Sequence, residues 1–329
     1  MTNTEVVLTT MINDLYASKH WKEANVDRAW LLSEMDSGAL DADLEMLAKR
    51  YGCELSDIRG LMQLCTSAAI ADPRRGLLHT ALKPIFEQVS AVAQDRFALA
   101  NVEFCVFDDK EGTAISAEGG DARLVAINGA LCSKIHIFAS HYLYWKLHGA
   151  SDTLPASTNE LAESLVSALA SHNMWGGEFE PSQSPEPSQD LWRLMNQAYR
   201  FIIAHEFGHM IGKKSSPSNL PMDKLSVEVM ADVKAMMLLS PRDEGPTAKT
   251  ETLEGVAFVL TMLRYALVAE RVSRGEDAST IAGQMEIRIR AIIAGARLLD
   301  YSADDYESAI NNCNRFFDAL VRAGFAAAK

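Results

Sequence analysis

Apolar side chains return every three or four residues along most of the chain, the spacing that places them on one side of an α-helix. In the first hundred residues the pattern is interrupted at Asp72 and Pro73, and Pro84 is expected in a bend or near a helix start. The pattern predicts an N-terminal helical region, residues 1–100, with helices that include Val6 to Ser18, Ala39 to Tyr51, Ser56 to Ala71 and Leu78 to Leu99.

After residue 100 the pattern changes to short segments rich in β-branched and aromatic residues. Val102, Phe104 and Val106 alternate in the first of them, and Gly112 and Gly120 stand in the turns that follow. The turn after the first segment predicts that the second strand returns beside the first. The sequence thus predicts a small sheet of three strands: Asn101 to Phe107, Thr113 to Ala117 and Arg123 to Asn128.

Helical periodicity resumes after the strands. The stretch from Gly176 to Gln189 is rich in glycine, proline and serine, which predicts a loop. The helices predicted around this loop are Gly129 to His148, Leu191 to Gly212, a helix containing Ser226 to Asp232, Thr252 to Ser273, Ala278 to Leu299 and Ala303 to Ala323. We therefore expect an α+β, mostly helical fold, in which a domain from residue 101 to 329 follows the N-terminal helical region.

Composition narrows the possible functions. The net charge is −13, with acidic residues spread along the 329-residue chain, so we expect no nonspecific binding to nucleic acid. The five cysteines form no C-x-x-C pair, which indicates reduced thiols. The N-terminus lacks a signal-peptide pattern, and the most apolar stretch, Gly255 to Ala269, is shorter than a bilayer span and contains Arg264. These features predict a cytoplasmic protein with no membrane partner.

One helical stretch carries residues suited to metal chemistry. His205 and His209 are four residues apart, so their imidazoles share a helix face and can bind one zinc ion. Glu206 lies about 100° around the helix from His205, too far to be the obvious third ligand but close enough to reach a metal-bound water. On the other side of the helix, Ile203 and Phe207 form an apolar stripe with Met210.

A zinc site of this kind needs a third protein ligand and an open position for water. The next helix offers Glu228 and Asp232, again four residues apart, and Glu228 is the best candidate for the third ligand. Ala231 and Ala235 flank them, and their small side chains would let the two helices approach closely. A second stripe on this helix, formed by Met230, Val233 and Met237, is expected to face the core.

The order His205-Glu206-x-x-His209 followed by Glu228-x-x-x-Asp232 resembles the gluzincin arrangement of zinc metallopeptidases. The resemblance covers roughly residues 191–240. The sequence from Glu228 to Leu239 is similar to that of intracellular members of the group. It implies that His205, His209 and Glu228 bind zinc, that Glu206 activates the water, and that Asp232 accepts a hydrogen bond from the other ring nitrogen of His205. The metzincin pattern does not fit, because Ser215 stands where its third histidine should be.

The resemblance also suggests how a substrate would bind. Zincins place a small sheet before the metal helix, and an edge strand holds extended substrate by backbone pairing, which makes Arg123 to Asn128 the candidate edge. An ordinary edge strand is the alternative. The candidates for stabilising the oxyanion are Tyr265, Arg288, Arg290 and Tyr301. Structural roles are expected for His136, His141 and His148 on the aromatic helix after the sheet.

The function expected from these residues is zinc-dependent hydrolysis of peptide bonds in a protein or peptide substrate. Zinc would polarise the scissile carbonyl and lower the pKa of its water, and Glu206 would take up the water proton and pass it to the leaving amine. The alternative is a noncatalytic regulatory or binding protein that keeps the helix pair as a scaffold. Retention of Glu206 favours the enzyme, since a purely structural zinc site needs no base.

Overall fold

The computed structural model describes residues 29–51, 54–71, 76–107, 114–148, 154, 162, 189–211, 223–239, 245–299 and 301–327. The predicted helix from Val6 to Ser18, Gly212 at the expected helix end, and nearly all of the predicted loop from Gly176 to Gln189 lie outside these residues. The described part is mostly helical and contains a small sheet, which confirms the predicted fold class.

The chain divides into two compact units. The first contains the described residues of Met1–Glu87 and Asn101–Gly129, and the second contains those of Gln88–Ala100 and Ala130–Lys329. The sequence-based division at residue 100 stays a prediction.

The first unit begins with helices whose ends agree with the predicted ones within two residues. Residues 29–37 are helical as well. Leu82 and Phe86 are buried on either side of Pro84, which lies inside a helix rather than in a bend, so the packed apolar face maintains the helix where proline lacks an N–H donor. The helices of this region are α1 (Asp41–Tyr51), α2 (Leu55–Ala71) and the part of α3 (Leu77–Phe97) that precedes Gln88.

The sheet has the predicted number of strands but a different arrangement. Its strands are β1 (Val102–Phe107), β2 (Ala114–Gly119) and β3 (Ala122–Asn128), in the order β1-β3-β2. Strand β3 pairs parallel with β1 and antiparallel with β2. The prediction that the second strand returns beside the first is therefore wrong.

The prediction that the third strand forms an edge is also wrong. All residues of β3 are buried, whereas β2 is mostly half-buried. A strand that is buried on both faces belongs in the middle of a sheet, and Arg123 to Asn128 occupies that place. Because its backbone is paired on both sides, this strand has no open edge on which to hold an extended substrate.

The two faces of the sheet carry different apolar contacts within the first unit. Phe104 stacks on Phe86 of α3, with ring centroids 5.1 Å apart, and on His79, at 5.3 Å. The other face holds a cluster of buried side chains from β1 and β3: Cys105, Phe107, Ala122, Leu124 and Ala126. Alternation of side chains along each strand thus builds core on both faces of the sheet.

The second unit is helical. Its helices are α4 (Gly129–Leu147), α5 (Gln189–Met210), α6 (Lys224–Leu239), α7 (Pro246–Ser273), α8 (Ser279–Leu298) and α9 (Ala303–Ala327). Helix α5 packs against α6 and α7, α7 packs against α8 and α9, and α8 also packs against α6. An aromatic cluster around Tyr142, Trp145 and Phe316 fills part of the core.

Helix α7 is longer than predicted because it begins at Pro246, which occupies the first turn, where proline is tolerated. Over Pro246–Val272 it is the one described helix long and apolar enough to cross a membrane, and its most apolar 18 residues have a mean hydropathy of 1.5. The prediction that the apolar stretch from Gly255 to Ala269 is too short to span a bilayer is therefore wrong, because the helix that contains it is longer. Within the structure, 61% of these 18 residues are buried, a share that is also typical of a helix in a protein core.

Two glycines let α5 approach its neighbours at backbone distance. A Cβ atom at Gly208 of α5 would lie 2.4 Å from the carbonyl oxygen of Ala231 in α6. A Cβ atom at Gly255 of α7 would lie 2.5 Å from the Cβ of Gln197 in α5. Real Cβ atoms do not come this close, so glycine is required at both positions for α5 to lie where it does.

Replacing Gly255 with alanine is expected to lower the free energy of unfolding by about 1–3 kcal/mol, because the added methyl group overpacks the contact between α7 and α5. Gly295→Ala in α8 is the matched control. A Cβ atom there meets nothing within 4 Å, so alanine should raise the free energy of unfolding by about 0.5–1 kcal/mol. Urea unfolding measures both variants, and changes of the same sign would contradict the close contact.

Candidate metal site

Helix α5 positions both histidines of the motif. Ile203, Phe207 and Met210 are buried, so the predicted apolar stripe is part of the core. The side chains of His205 and His209 keep 12% and 17% of their surface exposed. The helix therefore anchors one side in the core while the two imidazoles remain accessible from solvent.

Side chains from elsewhere in the second unit hold the ends of the two helices. Lys234 of α6 donates hydrogen bonds to the carbonyl oxygens of Gly208, at 3.3 Å, and Ile211 at the end of α5. Tyr301 donates to the carbonyl oxygen of Leu239, the last residue of α6, at 3.0 Å. Helix ends leave carbonyl groups without partners inside the helix, and these contacts satisfy some of them while fixing α5 and α6 in place.

The expected core stripe of α6 is wrong. Met230 and Met237 are 44% and 36% exposed, and Val233 is half-buried. The buried face of α6 instead contains Ala231 and Asp232, because this is the face that packs against α5 and α8. The small side chain of Ala231 and the hydrogen-bonded carboxylate of Asp232 suit this close contact, and the buried face also contains Met236, Leu238 and Leu239.

The structure brings the ligand atoms of three predicted residues together. The Nε2 atoms of His205 and His209 are 3.0 Å apart, and their rings are nearly perpendicular, at 89°. Oε2 of Glu228 lies 3.3 Å from Nε2 of His205, and its other oxygen, Oε1, lies 3.7 Å from Nε2 of His209. Two imidazole nitrogens this close either share a proton or direct both lone pairs at one cation.

These separations fit a tetrahedral metal site. Ligands about 2.0–2.1 Å from zinc in tetrahedral geometry lie about 3.3 Å from one another. The distance of 3.0 Å between the two Nε2 atoms and that of 3.3 Å from Nε2 of His205 to Oε2 of Glu228 are close to that value, whereas the 3.7 Å contact with His209 is made by Oε1 of Glu228. The donor set of two imidazoles and one carboxylate is also a known catalytic zinc set, which leaves a fourth position for water.

Glu206 lies beside this group and is buried. One of its carboxylate oxygens and one ring nitrogen from each of His205 and His209 lie within 4.8 Å of one another. In the part of the chain that the structure describes, these three residues form a group able to hold a metal ion. The same position is within reach of a water molecule bound between the two histidines, so geometry alone allows Glu206 to act as a ligand or as a base.

Asp232 is fully buried and contacts the remaining ring nitrogen of His205. Its Oδ1 lies 2.8 Å from Nδ1 of His205. A carboxylate can only accept, so Nδ1–H is the donor, and this leaves the Nε2 lone pair of the neutral ring directed at the shared point. This is the contact that the zincin resemblance implies for Asp232.

Arg288 of α8 is a member of the site that the sequence suggested only as an oxyanion candidate. Its Nε and Nη2 donate to Oδ2 and Oδ1 of Asp232, at 2.7 and 2.9 Å, and Nη1 lies 3.4 Å from Glu228. A signal in the sequence does exist: Arg288 stands three residues after Met285 and four before Ile292, both buried. A charged residue on an apolar helix stripe requires a buried partner of opposite charge.

The other three oxyanion candidates make contacts elsewhere. The Tyr265 hydroxyl donates to the carboxylate of Asp318, and Tyr301 binds the end of α6. Arg290 pairs with Glu286, and its side chain is 75% exposed.

The charges of the site shift the pKa values of its members. Burial alone would lower the pKa of His205, but its hydrogen bonds to Asp232 and Glu228 raise it to about 9. Burial would raise the pKa of both carboxylates, yet Arg288 and His205 hold that of Asp232 below its usual range, and mainly His205 does the same for Glu228. Both carboxylates are therefore anions at neutral pH, and a metal ion at Nε2 of His205 competes with a proton.

The net charge of these groups suits a divalent cation. Glu206, Glu228 and Asp232 supply three carboxylates, and Arg288 supplies one guanidinium. With neutral imidazoles, two negative charges remain, which one divalent cation neutralises. Buried charges are stable only when they are compensated, so the charge balance and the ligand separations both favour a divalent ion.

Comparisons of the chain with protein-family models, curated proteins and solved structures found no match. The resemblance to zincins therefore depends on the residues and geometry described above.

We expect about one zinc ion per chain, lost when His205 or His209 is replaced by alanine, because each supplies one converging nitrogen. His148→Ala is the matched control, since His148 lies at the end of α4 with its Nδ1 against the Tyr144 carbonyl. Elemental analysis of protein without a histidine tag, after zinc reconstitution and desalting, measures the content. Wild-type protein that remains free of metal would contradict the site.

Replacing Asp232 with asparagine is expected to weaken zinc binding by roughly 10–100-fold, because the neutral amide orients His205 less strongly than the carboxylate does. Competition with a chromophoric chelator measures the affinity. Asp305→Asn, on the exposed start of α9, is the control and should leave the affinity unchanged. Wild-type affinity in Asp232→Asn would remove Asp232 from the metal site.

Proposed function

We propose that this protein is a zinc-dependent peptidase in which His205, His209 and Glu228 bind the metal and Glu206 is the general base. The observation that supports this most strongly is the convergence of the two Nε2 atoms and the Glu228 carboxylate within 3.0–3.7 Å of one another. A second carboxylate beside the group, that of Glu206, supplies what a hydrolytic site needs and a structural site does not.

The residues of the chain would divide the chemistry between them. When bound, zinc supplies a Lewis acid that makes a coordinated water acidic near neutral pH and polarises a carbonyl oxygen. The two histidines and Glu228 would hold the ion on the side of α5 where the imidazoles remain partly exposed to solvent. Glu206 then accepts a proton from the attacking water and delivers it to the nitrogen of the leaving amine.

The environment of Glu206 suits this role. Its side chain is buried next to the histidines, so it is held close to the position of the water before the reaction begins. A base held in place in this way requires little reorganisation during proton transfer. The substrate proposed is a protein or peptide.

The decisive variant is Glu206→Gln. The amide is nearly isosteric and leaves the histidines and Glu228 in place, so zinc content and thermal stability should be retained. It cannot accept the proton, and hydrolysis should fall by roughly 10²–10⁴-fold. Zinc content, thermal melting and cleavage of a proteome-derived peptide library are measured for both proteins. Glu87→Gln, an exposed change of the same kind on α3, is the control and should cleave like wild type.

The outcomes separate the enzyme from a binding scaffold. A zinc-loaded Glu206→Gln protein that holds peptide without cutting it supports the proposed base. Cleavage by this variant at the wild-type rate would contradict the role of Glu206 as general base. A zinc-loaded wild type that cuts no peptide, and whose binding of partners survives Glu206→Gln, would favour a noncatalytic regulator built on the same helix pair.

A further inference from the structure

Arg288 is the charged residue of the site whose role the proposed reaction leaves unassigned. A guanidinium has no acceptor atom, so Arg288 supplies no ligand to a metal. Its side chain is 11% exposed, and the contacts of its three nitrogens with Asp232 and Glu228 are made to carboxylates of the site itself. An arginine this buried, in contact with two carboxylates next to a candidate metal site, requires a separate explanation.

We propose that Arg288 is a positioning residue, which fixes the Asp232 carboxylate in one orientation and through it holds the His205 ring with Nε2 facing the metal position. The inference rests on the proposed function only for the presence of a metal. The hydrogen-bond chain itself, from Arg288 to Asp232 to His205, is part of the described structure.

The geometry of Asp232 supports this role. Its carboxylate accepts three hydrogen bonds, of which two come from the planar fork of Arg288 at 2.7 and 2.9 Å. The third comes from Nδ1 of His205, at 2.8 Å, and ends on Oδ1, the same oxygen that Nη2 of Arg288 contacts. A bidentate arginine fixes the plane of a carboxylate as well as its position. The direction in which Oδ1 meets His205 is therefore set by Arg288.

Removing the guanidinium would change the acceptor of His205. Asp232 is completely buried, and a buried carboxylate without its counter-ion either takes up a proton or turns towards another donor. Both responses weaken the hydrogen bond from Nδ1 of His205. A lysine at position 288 would keep the charge but lose the fork, so it separates the contribution of charge from that of geometry.

The contact between Arg288 and Glu228 is expected to weaken metal binding, whereas positioning of Asp232 strengthens it. Nη1 lies 3.4 Å from Oε2 of Glu228, the oxygen that is 3.3 Å from Nε2 of His205. A positive charge there repels a cation and attracts one of its ligands. If repulsion dominated, removal of Arg288 would tighten zinc binding, whereas loss of positioning weakens it. The sign of the change therefore distinguishes the two effects.

The first test compares Arg288→Met and Arg288→Lys with wild type, using Arg297→Met as the matched control. Arg297 lies on the same helix, with a side chain that is 65% exposed. Zinc affinity is measured by chelator competition in protein shown by thermal melting to be folded, and the visible spectrum of bound Co²⁺ reports ligand geometry. We expect binding roughly 10–100-fold weaker for Arg288→Met, with an altered spectrum, and partial rescue by lysine. Unchanged or tighter binding in both variants overturns the proposal.

A double-mutant cycle then tests whether Arg288 acts through Asp232. If it does, Arg288→Met should change zinc affinity much less in an Asp232→Asn background than in wild type, because the residue that it orients is already altered. Additive effects would place its action on Glu228 or on the overall charge, and would contradict the proposed chain of contacts.

A third measurement needs neither zinc nor activity. In metal-free protein, the Nδ1–H proton of His205 should give a downfield, slowly exchanging NMR signal, assigned by its absence in His205→Asn. We expect Arg288→Met to lose or broaden this signal and Arg297→Met to keep it. Retention in Arg288→Met overturns the positioning role. Because this result does not depend on metal binding or hydrolysis, failure of the peptidase proposal and failure of the Arg288 proposal are distinguishable.

Discussion

The backbone contact between α5 and α6 is the constraint on which the candidate site depends. A single hydrogen at Gly208 separates the two helices where Ala231 passes. At this spacing, aspartate and glutamate side chains on α6 reach imidazoles on α5 without long, flexible linkers, and the resulting contacts lie between 2.8 and 3.7 Å. A wider gap between the helices would leave the same residues present but unable to share an ion.

The polar groups in this contact stabilise one another in an environment that none of them would occupy alone. Asp232 is completely buried and is tolerated because a guanidinium and an imidazole both donate to it. Arg288 in turn is held by carboxylates that face the histidines. The site is therefore a mutually dependent cluster drawn from α5, α6 and α8, and each member fixes the orientation of the next.

Local spacing predicted a large part of this arrangement. The separations of four residues between His205 and His209 and between Glu228 and Asp232 place each pair on one helix face, whatever the rest of the fold does. The predictions that were wrong concern features that depend on distant parts of the chain. Helical periodicity placed Met230 on an apolar stripe, but periodicity does not show whether another element covers that stripe, and Met230 is exposed. The order of strands likewise depends on what packs on both faces of β3.

Arg288 follows Asp232 by 56 residues, and this separation affects how the site is assembled during synthesis. A ribosome that adds about 5–20 residues per second completes α5 and α6 several seconds before α8 emerges. During that interval the nascent chain has both histidines and Glu228 but lacks the counter-ion of Asp232. Asp232 therefore acquires its full set of hydrogen bonds only when α8 docks, so the buried charges of the cluster are balanced late in the folding of this part of the chain.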